Sequence, residues 1–397
     1  MKQILFFIML MCSIYCYSQQ KEPNNIPLVS STSYDRELKL SDVAKGITYI
    51  PLETNENCLI GKIYSFTLSK EFIFVNNSGV ILQFSSKGKF IRQLTKNGQG
   101  PGEGTVANIA IDEETRLIYC QFSYTYDITV SNFEGKHIRT IKNPFAKETI
   151  MNPPTGGMIV YNGNILFAFT DENGQMPYKY AVVNSHGEIQ HREINYEKYF
   201  LKERILESSI SPSPFFCYNS SVFFKHEYND TIFKINQDHT CSPLYVCNLS
   251  KQITMEENMK AGAYVIKYSE LSGKNMINVV RESDEYIYVY HTNSPYDNDN
   301  RKRFFSQYNK RTQQLSPNIN RNIINDWDGG MDVRIFGGQN GSTVCFPIQP
   351  FEMKEKLTNA HFSKIQAKYP ERKESLKALV NGLDEEDNPV LMIIELK

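Results

Sequence analysis

A closed all-β ring of repeated four-stranded units is the fold this sequence predicts, and three observations predict it. The chain says one thing twice between Ile60 and Ile141. Three short strand patterns (Ile63–Leu68, Phe72–Asn76, Val80–Phe84) lead to the turn Ser85-Ser86-Lys87-Gly88-Lys89 and a fourth strand, Phe90–Leu94. The order then repeats as Ala107–Ile111, Leu117–Phe122, Asp127–Ser131, the turn Asn132-Phe133-Glu134-Gly135-Lys136, and His137–Ile141. Secondly, the turn glycines Gly88, Gly135 and Gly187 recur at intervals of about 47 and 52 residues, the spacing of propeller blades, each between two strands as a hairpin requires. Thirdly, 24 Tyr and 24 Phe stand against a single Trp, a composition that suits half-buried strands better than helices.

The elements follow in order. Residues 1–18 read as a signal peptide: Lys2 is the sole charge ahead of the apolar run Ile4–Tyr17, which is too short for a bilayer span. Cys16-Tyr17-Ser18 before Gln19 places small residues where signal peptidase reads them, so cleavage and export to the periplasm or cell surface are expected. A lipid anchor on Cys12 or Cys16 is the competing reading, disfavoured by Met11 and Tyr15 where a lipobox wants a small residue. No later run is long and apolar enough to cross a membrane.

Residues 19–45 read as an extended N-terminal arm, and 46–397 as the ring. Gly46–Leu52 is a strand containing Pro51, which a sheet edge tolerates. After the two clear units, a third comprises Met158–Tyr161, Ile165–Thr170, Tyr180–Asn184 and Ile189–Ile194. Tyr196–Ser209 reads as a short amphipathic helix stopped by Ser211-Pro212-Ser213-Pro214. The fourth unit is Phe215–Tyr218, Ser221–His226, Thr231–Ile235 and Leu244–Leu249, followed by a partly helical insertion over 251–275. The fifth is Met276–Glu282, Tyr286–Thr292, Arg303–Asn309 and a short closing strand near Gln313–Leu315. The last unit has strands at Gly330–Phe336 and Ser342–Pro347, helices at Phe351–Lys368 and Pro370–Asn381, and a terminal strand, Val390–Leu396. Open sheet edges invite aggregation, so the ring must close, and Gly46–Leu52 is the candidate closing strand. The expected fold is a six-bladed β-propeller with a small helical insertion at about 351–381.

With 43 basic and 44 acidic residues the net charge is −1, and no basic stripe with interleaved aromatics is present, so nucleic acid is not an expected partner. Arg301-Lys302-Arg303 is a lone solvated triplet. Six cysteines follow the leader: Cys120 and Cys345 sit inside strand patterns as buried thiols, and Cys241 with Cys247 could close a local loop. No C-x-x-C pair supports a zinc or redox site.

Several stretches carry a family likeness: Tyr49-Ile50-Pro51-Leu52-Glu53, Lys89-Phe90-Ile91-Arg92-Gln93-Leu94, Asn97-Gly98-Gln99-Gly100-Pro101-Gly102-Glu103, Tyr228-Asn229-Asp230-Thr231-Ile232-Phe233, Asp328-Gly329-Gly330 and Asp387-Asn388-Pro389-Val390-Leu391. With them the chain resembles the six-bladed β-propeller family of exported Bacteroidetes proteins, related in architecture to NHL-repeat and TolB-like propellers. The resemblance implies the ring and export. It implies no activity and carries over no catalytic residue.

Gly98–Gly104 is glycine-rich, but a phosphate loop needs a helix directly after it, and here a strand follows. A tight connection with glycines at positive φ is expected instead. In Asn325–Asp332, Asp326, Asp328 and Asp332 are the candidate metal ligands, because carboxylates spaced around glycines can wrap Ca²⁺. Against this, Asp-Gly is an ordinary turn and a complete calcium-loop pattern is lacking. Trp327 either caps the core or stacks on a sugar. The seven histidines show no local ligand spacing, and no Gly-x-Ser-x-Gly elbow is present.

Fold alone assigns no function, but a ring presents a channel and a loop face. The leading expectation is a non-catalytic binding or interaction module at the cell envelope, with an unknown protein or carbohydrate as ligand. The alternative is a loop-built enzyme site at the channel, a metal-assisted hydrolase or lyase on carbohydrate. A purely structural role is the third.

Overall fold

The computed structural model describes residues 22–29, 34, 36–100, 103–146, 157–169, 176–196, 214–226, 228–262, 266–297, 299–320, 322–333, 342–358, 362 and 364–397. The expected leader and nearly all of the helix expected at Tyr196–Ser209 lie outside these residues, as does part of the strand expected at Gly330–Phe336.

The chain opens with strand β1 (Asn24–Ile26), a four-residue helix α1 (Leu40–Val43) and β2 (Ala44–Pro51). The first blade is β3 (Ile63–Leu68), β4 (Phe72–Asn77), β5 (Val80–Ser85) and β6 (Phe90–Gln93). The second is β7 (Val106–Asp112), β8 (Leu117–Phe122), β9 (Ile128–Asn132) and β10 (His137–Ile141). The third is β11 (Met158–Tyr161), β12 (Asn164–Ala168), β13 (Tyr178–Val183) and β14 (Ile189–Ile194). The fourth is β15 (Phe215–Tyr218), β16 (Ser221–Phe224), β17 (Thr231–Ile235) and β18 (Cys241–Cys247). Helix α2 (Met255–Gly262) and a 3-10 turn (Tyr268–Leu271) precede the fifth, formed by β19 (Asn275–Glu282), β20 (Tyr286–Asn293), β21 (Lys302–Asn309) and β22 (Leu315–Asn320). The sixth sheet joins β23 (Thr343–Ile348) to the terminal β24 (Val390–Leu396), with helices α3 (Pro350–Thr358) and α4 (Pro370–Asn381) between them. β2 then pairs antiparallel with β24, Thr48 opposite Ile393, so the start of the ring completes its last blade. This is the closing strand the sequence predicts.

Both faces of each blade are covered by its neighbours, and that explains the strand sequences. The second strands β4 and β8 are buried along nearly their whole length and open on apolar runs, Phe72–Val75 and Leu117–Cys120, whereas the outer strands β6 and β10 are half exposed and carry Arg and His. Six apolar clusters fill the seams. Phe74 meets Ile109 between blades one and two, Tyr119 meets Phe167 in the next seam, and Tyr180 meets Phe224 in the third. Phe223 meets Val289 in the fourth and Phe305 meets Val344 in the fifth. Leu391 of blade six shares a cluster with Val75 and Phe84 of blade one, which closes the circle.

Three local expectations are corrected. The fourth strand of blade five runs over Leu315–Asn320, not Gln313–Leu315, because Gln313 holds the left-handed turn position at φ 57° and Pro317 is tolerated on the outermost strand. Helix α3 covers Pro350–Thr358 and the described Phe362 and Lys364 are helical too, but residues 365–368 are not, so the expected span Phe351–Lys368 ends too late. Cys241 and Cys247 are both free thiols at opposite ends of β18, about 20 Å apart at the rise of a strand, and cannot pair. The arm is also more than an extended lead-in. β1 adds a fifth, parallel strand to blade four beside β18, and Ile26, Leu38, Leu40 and Val43 are fully buried in the two seams flanking blade five.

Candidate functional site: the channel mouth and the ring latch

The motifs that stood out in the sequence are gathered where the ring closes. Asn388 is 3% exposed and saturated. Its Nδ2 donates to the Glu53 carbonyl at 2.6 Å and the Cys58 carbonyl at 2.8 Å, and its Oδ1 accepts Ile60 N at 2.8 Å. Glu53 in turn accepts Phe90 N through Oε2 at 2.9 Å and donates its own N–H to the Gly88 carbonyl at 2.8 Å. Gly88 has φ 82°, and a Cβ there would lie 2.0 Å from the Pro51 carbonyl oxygen. Glycine is needed for both reasons. These residues pin the last blade to the first.

The Asn325–Asp332 turn lies beside the latch, against the helical insertion. The three candidate metal ligands share that turn, and the structure gives each its own donors. Asp326 accepts Ser41 N at 2.9 Å and Ser41 Oγ at 2.7 Å, which fixes the start of α1. Asp328, 2% exposed, accepts Gly330 N at 2.9 Å, Asn325 Nδ2 at 2.8 Å and Tyr49 OH at 3.2 Å through one oxygen. Burial raises the Asp328 carboxyl above its ordinary pKa, opposed by these hydrogen bonds. Asp332 accepts Asn325 N at 3.0 Å. Among the described residues no group of three or more His, Cys, Asp or Glu side chains is arranged to hold a metal ion. Trp327 is buried, its ring 4.4 Å from that of Tyr369, and it serves the core.

The glycine-rich loop holds one surprise. Of its described glycines only Gly104 has positive φ, at 150°. Gly98 and Gly100 do not, because their role is clearance: the Glu103 carboxylate folds back over both, and its Oε2 accepts Gly100 N at 3.2 Å. The protein's own carboxylate takes the place a phosphate would need.

The channel mouth is built from a repeat position that sequence reading passed over. The first strands of successive blades approach one another, β3 with β7 and β7 with β11, so they are the inner strands. Strand alternation then puts the first-to-second and third-to-fourth strand turns of blades one to five, all short, on one face, and the remaining connections, long except for the Ser78-Gly79 turn, on the other. On the short-turn face a cavity of about 230 Å³ opens between the inner strands of the first four blades. Its walls are Thr67, Ala110, Ile159 and Cys217, and its rim is Asp112, Glu113, Glu114, Asn162 and Ser220, with no basic residue among the lining groups. Asp112 Oδ1 caps the turn by accepting Glu114 N at 3.0 Å, and Glu113 Oε1 accepts Lys70 N from blade one at 3.0 Å. Tyr161 OH donates to the Ser220 carbonyl at 3.1 Å across the next seam. Burial pushes the Cys217 thiol up to about 11, so it stays protonated and is a poor nucleophile at neutral pH. The mouth presents carboxylates, amides and hydroxyls to the cavity.

One comparison with a solved structure agrees with this architecture. One solved structure, a protein of Bacteroides fragilis NCTC 9343 named as exported, has a TM-score of 0.63 at 14% identity, covering 91% of this chain and 99% of that one. Another, a member of the DUF4221 family from Bacteroides vulgatus, has a TM-score of 0.48 at 12% identity, covering 89% and 97%. No curated protein matches the chain. The family model described as domain of unknown function DUF4934 matches residues 23–395. The chain, a six-bladed β-propeller, belongs to that DUF4934 family.

Proposed function

We propose that the protein is an exported, non-catalytic binding module that docks a positively charged, donor-rich group in the short-turn mouth of its channel. One observation carries the reading: a 230 Å³ cavity rimmed by Asp112, Glu113 and Glu114, with no lining cation to neutralise them. Low-dielectric walls concentrate the field of such a rim on whatever enters. Free amines of a small molecule, or a lysine or arginine side chain of a partner protein, supply the complementary chemistry. Export is argued from the leader pattern, Lys2 followed by Ile4–Tyr17. The test is a thermal-shift series on the purified exported protein with spermidine and L-arginine as cationic probes and citrate as an anionic control. A ligand that binds only the native state raises the melting temperature by mass action. A rise with spermidine that disappears in Glu113→Gln/Glu114→Gln supports the site. An equal response to citrate, or one untouched by those substitutions, contradicts it.

A further inference from the structure

The opposite face of the ring carries a second feature that neither the latch nor the channel mouth uses. Most large apolar or aromatic side chains on this chain are covered, yet on the long-connection face Tyr64 is 54% exposed and Tyr124 is 86% exposed. Both are placed by irregular backbone. Tyr64 is the extra residue of a bulge in β3, where the register with β4 shifts between Ile63 and Ser65. Bulges beside functional sites re-aim a side chain out of the regular alternation. Tyr124 projects from the turn between β8 and β9, which is closed by Tyr126 N donating to the Phe122 carbonyl at 3.0 Å. Tyr126 there holds φ 56°, a left-handed conformation unusual for a bulky residue. Such strain persists where surrounding structure or function demands it.

The two tyrosines belong to one surface. A relay of backbone hydrogen bonds crosses the seam between them: Ser78 N to the Lys62 carbonyl at 2.9 Å, Val106 N to the Gly79 carbonyl at 2.9 Å, and Ser123 N to the Thr105 carbonyl at 2.8 Å. Along this relay stand the small uncharged side chains of Ser78, Thr105 and Ser123 beside Asn77 and Asn97, with Lys62 at its start. The charge nearest to Tyr64 in the chain, Lys62, lies over the Tyr64 ring at 5.4 Å from its centroid. Lys62 thereby stiffens that ring against one side.

We propose that this face binds a neutral saccharide, with Tyr64 and Tyr124 as stacking platforms. A pyranose ring presents an apolar C–H face to an aromatic ring and a rim of hydroxyls to neighbouring amides and hydroxyls. Flat, exposed phenols set among Asn, Ser and Thr match both halves of that surface. An anionic ligand is disfavoured, because beside the Tyr124 turn the Lys142 ammonium is already paired with Asp127 at 2.8 Å. The site is independent of the channel mouth, because the two open on opposite faces.

The experiment is native affinity electrophoresis of the purified exported protein in gels containing dextran, galactomannan, xylan or laminarin. Retardation in at least one gel is expected, with the apparent Kd rising at least tenfold in Tyr64→Ala and in Tyr124→Ala. Tyr64→Phe and Tyr124→Phe, which keep the ring, should retain binding within about threefold, a range typical of losing one exposed hydroxyl. Unchanged melting temperatures would exclude misfolding as the cause, and both positions are exposed enough for the variants to fold. No retardation in any of the four gels overturns the proposal, as does retardation that the alanine variants leave intact.

Discussion

Acidification should unlock the fifth blade through one histidine. His291 on β20 is completely buried, with Nε2 3.2 Å from Ser306 Oγ, its ring centroid 5.4 Å from that of Phe304, and no partner for Nδ1. Burial disfavours the imidazolium and lowers the pKa from 6.5 to about 4. The folded pKa is the lower one, so the unfolded chain binds the extra proton first. Stability is therefore complete above pH 6.5 and falls as pH drops from 6.5 through about 4. Applying linkage to those two pKa values gives a loss of about 2.5 kcal/mol between pH 7.5 and 4.5. Urea unfolding at both pH values, on the wild type and on His291→Leu, isolates this term, because every other titrating group is common to both proteins. The wild type should lose about 2.5 kcal/mol more than the variant across that interval. Parallel losses would refute the reasoning, as would a His291 ring signal titrating near pH 6.5 in an NMR pH series.

Two further perturbations test the latch. Gly88→Ala places a methyl 2.0 Å from the Pro51 carbonyl at φ 82° and should cost about 2–4 kcal/mol, while Gly163→Ala, with φ 72° and open space around it, should cost only about 1–2 kcal/mol. Equal melting temperatures for the two variants would contradict the seam contact. Asp328→Ala strips the buried Asn325 amide and Gly330 N of their acceptor and should cost about 1–3 kcal/mol by urea titration, more than Asp326→Ala. Since these carboxylates already hold protein donors, Ca²⁺ and EDTA should leave the melting temperature unchanged. A Ca²⁺-dependent rise abolished by Asp326→Ala would instead place a metal in the turn.

The ring was readable because its repeating turn is chemically constrained. In blades one to three the hairpin between third and fourth strands opens on Ser85, Asn132 or Asn184, whose side chains accept backbone N–H groups. Each closes on a glycine at φ 80–90°: Gly88, Gly135 and Gly187. Blade four keeps the same turn, with Asn236 N donating to the Thr240 carbonyl, but puts His239 at φ 71° where glycine is expected. Blade five has a turn one residue longer, with Asn309 N donating to the Gln314 carbonyl and Gln313 at φ 57°. Strand edges there were harder to place because the glycine signal is gone in both blades and the turn of blade five is a residue longer. The distinctive motifs were visible too, yet they turned out to close the ring: Asn388, Glu53 and Gly88 are latch residues. The channel mouth was invisible for the opposite reason. Asp112, Asn162 and Ser220 are unremarkable turn residues individually, and only aligning the units strand by strand shows that each lies at the end of a first strand or just after it. The arm strand β1 could not be foreseen, since three residues pairing in parallel with a strand over two hundred positions away leave no local periodicity.

Occupancy of the channel mouth can be read directly from Cys217. Cys217 and Cys241 both pack against the seam between blades three and four, but Cys217 also lines the cavity, whereas Cys58, Cys120, Cys247 and Cys345 are buried. The rate of Cys217 alkylation by iodoacetamide at pH 9, followed by peptide mass spectrometry with and without saturating spermidine, is the most direct measurement. If the mouth is the docking site, spermidine should slow Cys217 several-fold and leave Cys241 unchanged, and Glu113→Gln/Glu114→Gln should abolish the protection. An unaltered Cys217 rate, or equal slowing at Cys241, would contradict docking in the mouth.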